Sequence, residues 1–186
     1  WMEEKSWLID NSQLTIDNSK SNHQSPIINC QIPHNWDDYY GYRQLTHGNL
    51  HGTAMYVKDF SLDNCPLSTV NSQLKKRYFL RFEGVGTYAT IKVNEHDFGR
   101  YPVGRTTLTL DVTDALKQGT NRLEVKAEHP EMIADMPWVC GGCSSEWGFS
   151  EGSQPLGIFR PVVLEATDEI RIEPFGVHIW NDEKAA

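Results

Sequence analysis

The chain has 186 residues, 39% hydrophobic and 23% charged, enough apolar material for one packed domain with a real core. Its net charge of −8 comes without the Lys/Arg clusters that phosphates demand, which argues against a nucleic-acid partner. No apolar run approaches the ~20 residues of a membrane-crossing helix, and no apolar signal core follows Trp1-Met2-Glu3-Glu4-Lys5, so no membrane partner is expected.

Residues 1–26 read as a lead-in segment. Asn11, Ser12, Asn18, Ser19, Ser21 and Asn22 favour turns, and Trp7-Leu8-Ile9 suits a short edge strand. Ile27 to Ile32 is a strand candidate ended by Pro33. Pro33-His34-Asn35-Trp36-Asp37-Asp38-Tyr39-Tyr40-Gly41 is aromatic, polar and irregular, and reads as an ordered loop. From Thr53 the hydrophobic period becomes two, which marks a strand with a buried face. Asn64 to Lys76 then reads as a hairpin connection. Tyr78, Leu80 and Phe82 alternate with Arg81 and Glu83. After Gly84-Val85-Gly86 come Ala89, Ile91 and Val93, a turn at Asn94 to Asp97, and a resumed strand at Phe98. Leu108, Leu110 and Val112 follow.

Val112 to Gly119 is the single helical signal, with Thr113 as N-cap and Gly119 as the left-handed stop. Leu123, Val125 and Ala127 form a further strand, closed by His129-Pro130. Val162, Leu164 and Ala166 form the next, and Ile170, Ile172, Val177 and Ile179 a last interrupted pair. About seven to nine short strands with one helical turn predict an all-β fold, a two-sheet antiparallel β-sandwich rather than a small barrel.

The segment Asp135 to Pro155 stands apart. A loop of roughly twenty residues inside a compact domain usually carries function, and this one is too aromatic for a disordered linker. Cys140-Gly141-Gly142-Cys143 lies in it; the other cysteines are Cys30 and Cys65. A zinc site would need a second pair or two histidines at matching spacing, and a thioredoxin-like site a βαβ context. Neither is seen, so the pair reads as a loop-stapling disulfide or as buried thiols, with no metal and no cofactor expected. Asp37 and Asp38 are too few for a Ca²⁺ site, which wants roughly 6–8 oxygens.

Several stretches, taken in order, resemble a known family. Pro33-His34-Asn35-Trp36-Asp37 resembles the "P-H-x-W" entry of the N-terminal sugar-binding-type jelly roll of glycoside hydrolase family 2. Tyr56-Val57-Lys58-Asp59-Phe60 and Arg77 to Gly84 are similar to its next strands. Ala89-Thr90-Ile91-Lys92-Val93-Asn94-Glu95, with Gly99, is similar to its "A-x-V-y-V-N-G" strand and turn, except that Glu95 replaces the usual Gly. Asp111-Val112-Thr113 with Gly119-Thr120-Asn121-Arg122-Leu123 matches "D-I-T-x-x-L-x-x-G-x-N-x-L". Gly157-Ile158-Phe159-Arg160-Pro161-Val162-Val163-Leu164 matches "G-I-Y-R-x-V-x-L". The resemblance runs from about residue 30 to about residue 180.

It implies a galactose-binding-domain-like jelly roll over residues 27–168, with residues 169–186 leading to a next domain. The parent would be a β-galactosidase, β-glucuronidase or β-mannosidase type of glycosidase, exported to the periplasm or secreted. Its two catalytic glutamates would sit in a later barrel reached through an immunoglobulin-like domain. This chain lacks the βα repeats of such a barrel, so no catalytic residue is expected in it. The partners implied are carbohydrate and those two domains. In relatives the loop before "G-I-Y-R" approaches the active-site mouth, which makes Asp135, Trp138, Glu146, Trp147 and Glu151 the candidate substrate contacts. Aromatic planes stack on sugar C–H faces, and carboxylates accept from hydroxyls. The competing assignment for both tryptophans is the loop's own core, and for both glutamates a solvated surface. His34, Trp36, Asp37 and Asp38 form a second cluster, in which Trp36 plugs the end of the sandwich. Arg160 is expected to brace its strand entry, pairing with an acidic group. The rival function is a free-standing carbohydrate-binding module with an aromatic sugar platform.

Overall fold

The computed structural model describes residues 7–10, 14–16, 28–36, 50–62, 76–130, 132–133, 143–144 and 155–180. Period-two patterning produces the strands expected of it. They are β1 (Trp7–Asp10), β2 (Leu14–Ile16), β3 (Ile28–Cys30), β4 (Leu50–Ser61), β5 (Arg77–Phe82), β6 (Val85–Val93), β7 (His96–Gly104), β8 (Leu108–Asp111), β9 (Thr120–His129), β10 (Met132–Ile133), β11 (Cys143–Ser144) and β12 (Val162–Thr167). All their pairings are antiparallel. No described helix is long and apolar enough to cross a membrane.

The larger sheet runs β3-β1-β4-β9-β6-β7, with β2 also on β4; the smaller runs β12-β5-β8. β4 and β9 pair over ten positions, from Gly52↔His129 to Ser61↔Thr120, and β9 carries β6 from Tyr88↔Glu128 to Val93↔Leu123. This register stacks Ala54, Ala127 and Ala89 in one inward row and Tyr56, Val125 and Ile91 in the next. Tyr78, Leu80 and Phe82 of β5 face them, so one core fills the space between two sheets. The all-β sandwich expectation is met.

Three local expectations are corrected. β4 and β5 belong to different sheets, so they do not form the hairpin expected of them. β1 lies between β3 and β4 and is not an edge strand. The one helical turn expected is present as a 3₁₀ turn, Thr113–Ala115, but it is entered from Val112 without a side-chain cap, so Thr113 is not its N-cap. Thr113 sits inside that turn, where its hydroxyl reaches Asp111 Oδ1 (2.5 Å) and accepts from the Tyr78 amide (2.9 Å). Gly119 does take the left-handed conformation, φ 84°. In the β6–β7 turn only Asn94 has positive φ, 52°, so Glu95 stands there without left-handed strain.

Candidate functional site

The strongest convergence of elements lies where β3 leaves the large sheet. Residues 34–36 run alongside residues 156–158: the His34 amide donates to the Ile158 carbonyl at 2.7 Å, and the Trp36 amide to the Leu156 carbonyl at 2.9 Å. On its other side the same stretch accepts from Gly86 at Gly157 (3.0 Å) and from Glu83 at Pro161 (3.1 Å). Leu156 and Ile158 are completely buried. The stretch before β12 is therefore wedged between two segments by backbone bonds, which any sequence could form. Its side chains decide the fit.

Gly157 decides most. Its φ is +127°, and a Cβ there would collide with the Tyr56 hydroxyl and lie 2.9 Å from the His34 carbonyl. Only glycine accepts both conditions. Tyr56 stands at a core-facing position of β4 with no exposure, its hydroxyl 3.0 Å from His34 Nδ1. Burial pushes the Tyr56 phenol far above its ordinary range, and the Ile158 amide pulls partly the other way by donating to the oxygen. Burial thus favours the neutral, hydrogen-bonding form of Tyr56. Trp36 packs edge-on against His34, ring centroids 4.9 Å apart, and against the core. It has the plugging role expected of it. Cys30, a free thiol beside this cluster, is pushed up to about 11 by burial.

A second contact marks the same end of the sheet. His51 and His129 are both buried, with ring centroids 5.3 Å apart, and Gly52 pairs with His129. The described residues that flank segments 37–49 and 131–154 thus meet in pairs, Trp36 with Leu156 and His51 with His129.

The five candidate substrate contacts, Asp135, Trp138, Glu146, Trp147 and Glu151, lie outside the described residues, as do Asp37, Asp38 and Cys140. The backbone of Cys143 pairs with Ile133 in the small β10–β11 ladder. Among the described residues no group of three or more His, Cys, Asp or Glu could hold a metal ion. Arg160 shows no acidic partner among the described residues. It is exposed and lies across Gly84 beside the ring of Phe159. Tyr56 was not singled out from the sequence. The available signal was a polar-tipped side chain at an inward strand position, which must find a partner.

The match to known proteins falls on this framework. The model of the glycosyl hydrolase 2 galactose-binding domain-like family matches residues 35–136, more than half of the chain. The chain belongs to that family. A β-glucuronidase of Bacteroides fragilis is 35% identical over 100 residues, covering 53% of this chain and 13% of that protein. A β-galactosidase of Actinobacillus pleuropneumoniae is 25% identical over 158 residues, covering 82% of this chain and 14% of the relative. The chain thus spans about one-seventh of these relatives' length. Among solved structures, a glycosyl hydrolase family 2 member from Bacteroides cellulosilyticus superposes with TM-score 0.58 at 23% identity, over 89% of this chain and 20% of that one. A β-glycosidase from Bacteroides vulgatus gives 0.58 at 24%, over 88% and 20%. These likenesses are of fold.

Proposed function

We propose that this chain is the ancillary sugar-binding-type domain of a family 2 glycosidase, shaping the rim of an active site whose catalytic barrel lies elsewhere in the parent. The observation that carries this reading is that the described residues flanking segments 37–49 and 131–154 meet in pairs, Trp36 with Leu156 and His51 with His129. Segment 131–154 holds Asp135, Trp138, Glu146, Trp147 and Glu151, the residue types that stack on and hydrogen-bond a sugar. In this reading residues 27–168 are the sandwich domain, to whose large sheet the lead-in adds β1 and β2, and residues 169–186 lead toward an immunoglobulin-like neighbour. The exposure of Ile172, Phe175, Val177, Ile179 and Trp180 supports that, because large apolar side chains grouped in one arm suit a surface that another domain covers.

The test is calorimetric titration of the folded chain with a panel of mono- and oligosaccharides. A rim that works only beside its barrel gives no saturable heat with any sugar. Saturable binding that is lost in Trp138→Ala or Trp147→Ala would replace this reading with a free-standing carbohydrate-binding module.

A further inference from the structure

The outer face of the small sheet holds a feature that neither the rim nor the family match explains. Phe79 points away from the core on β5, between the inward Tyr78 and Leu80, yet it is only 3% exposed. Its cover comes from the segment after β12. The guanidinium carbon of Arg171 sits 3.2 Å from the centre of the Phe79 ring. Arg77, paired with Asp111 at 2.5 Å, lies over the same ring at 5.0 Å. The Arg171 side chain is 9% exposed, whereas Ile170 and Ile172 on either side are 88% and 72% exposed. Its terminal nitrogens reach Glu173 at 2.6 Å and Glu165 at 3.8 Å, and Glu165 also binds Arg81 at 2.7 Å. Beyond it the chain turns at Glu173–Gly176, where the Gly176 amide donates to the Glu173 carbonyl at 2.8 Å. The arm then runs on with its apolar side chains in the open.

We propose that Arg171 is a positioning residue: it staples the arm to Phe79 and so fixes the line along which residues 172–180 leave the sandwich. The consequence for the placement of a following domain rests on the reading given under the proposed function; the staple itself does not. Arginine suits this task because its planar group can lie on a ring while its fork reaches carboxylates at the edge, which a lysine ammonium cannot do. Arg171 Nε is buried with no hydrogen-bond partner, so the ring face is what seats the group. Its residues are also unevenly spaced for any simple pattern to reveal. Phe79, Glu165 and Arg171 meet only because β12 returns antiparallel to β5 and puts Glu165 opposite Phe79.

Trypsin reads the staple directly, because it must take the Arg171 side chain into its own pocket to cut the bond to Ile172. The native chain is expected to be cut there at least tenfold more slowly than a synthetic peptide of residues 166–177. Phe79→Leu is expected to raise the rate at least tenfold, and the surface variant Glu165→Gln/Glu173→Gln severalfold, with cutting at other basic residues unchanged. Cutting of the native chain at the peptide's rate, or equal rates in all three proteins, would overturn the proposal. A proton NMR measurement guards against a variant that merely loosens the fold. The Arg171 δ-protons should be shifted upfield by the Phe79 ring in the native chain and lose that shift in Phe79→Leu; δ-protons at random-coil positions in the native chain would also overturn it. A stapled arm in a protein that shows no following domain would leave the staple standing and remove only the domain reading.

Discussion

A tyrosine whose ring belongs in a core still carries a hydroxyl that must be satisfied, and the way Tyr56 meets that demand fixes its neighbours. Its partner His34 and the bare face of Gly157 are separated from it by 22 and 101 residues, so strand periodicity could place the ring but not reveal the contact. Gly157 was legible only as a letter of a family motif; the reason it must lack a Cβ was not. The geometry predicts a non-additive pair. Tyr56→Phe should cost about 2–3 kcal/mol, because half-buried His34 can turn to water but the buried Ile158 amide loses its acceptor. Gly157→Ala should cost about 3 kcal/mol from the positive φ and the collision with the hydroxyl. In the double variant the hydroxyl is gone while the φ strain and the His34 carbonyl remain, so the loss should fall short of the sum by about 1 kcal/mol. Urea unfolding of the four proteins measures it. Strict additivity would mean that the hydroxyl does not fill the space beside Gly157.

Strands were the legible level because one face of each is buried and the side-chain period is two. Which sheet a strand joins was not legible, as β4 and β5 show: the pattern inside each strand is the same whichever partner it takes. The motif residues around the turns gain a physical reason from the structure. Buried Asn121 donates to the carbonyls of Lys117 (2.8 Å) and Gly119 (3.0 Å). It accepts from the Lys117 amide (2.9 Å) and from Asn94 Nδ2 (2.9 Å). Asn94 in turn accepts from the Arg122 amide and donates to the Ala115 carbonyl, so two asparagines join the β6–β7 turn to the entry of β9. Asn121→Ala strands several of these groups and should cost about 3 kcal/mol in urea unfolding; a cost below about 1 kcal/mol would show that water replaces the network.

The 3₁₀ turn adds a pH dependence. Partial burial alone would raise the Asp111 carboxyl. The Thr113 hydroxyl and amide and the Arg77 guanidinium outweigh this and hold it below its ordinary value. A carboxyl with a depressed folded pKa binds fewer protons than the unfolded chain does. Its stabilisation is therefore present above about pH 4, the unfolded value, and is lost as pH falls through the folded one. Asp111→Asn should make the acid limb of the stability profile shallower than in the native chain, while an unchanged limb would place the acid sensitivity elsewhere.

At the scale of the whole molecule the sandwich and its arm differ in how their apolar side chains are used. The core strands bury theirs between two sheets, whereas Phe175, Val177, Ile179 and Trp180 are 64–90% exposed. The sequence suggested a last strand pair here, since alternation of Ile170 with Ile172 and of Val177 with Ile179 looks the same whether or not a partner strand is present. In the structure the arm has no ladder to either sheet among the described residues, and its hold on the sandwich is through Arg171. Side chains that bury almost nothing contribute almost nothing to folding, at roughly 25 cal/mol for each Å² removed from water. Val177→Ser, Ile179→Ser and Trp180→Ser together should therefore change unfolding free energy by less than about 0.5 kcal/mol. They should also lower the hydrophobic-dye binding of the isolated chain, because they are half of its exposed large apolar side chains among those described. If the triple variant instead unfolds much more easily, these side chains pack back onto the sandwich in solution, and the arm is part of the domain's own core. A stability that holds while dye binding falls would show the opposite: the arm's apolar face is surplus to the fold of this chain and available to something that covers it.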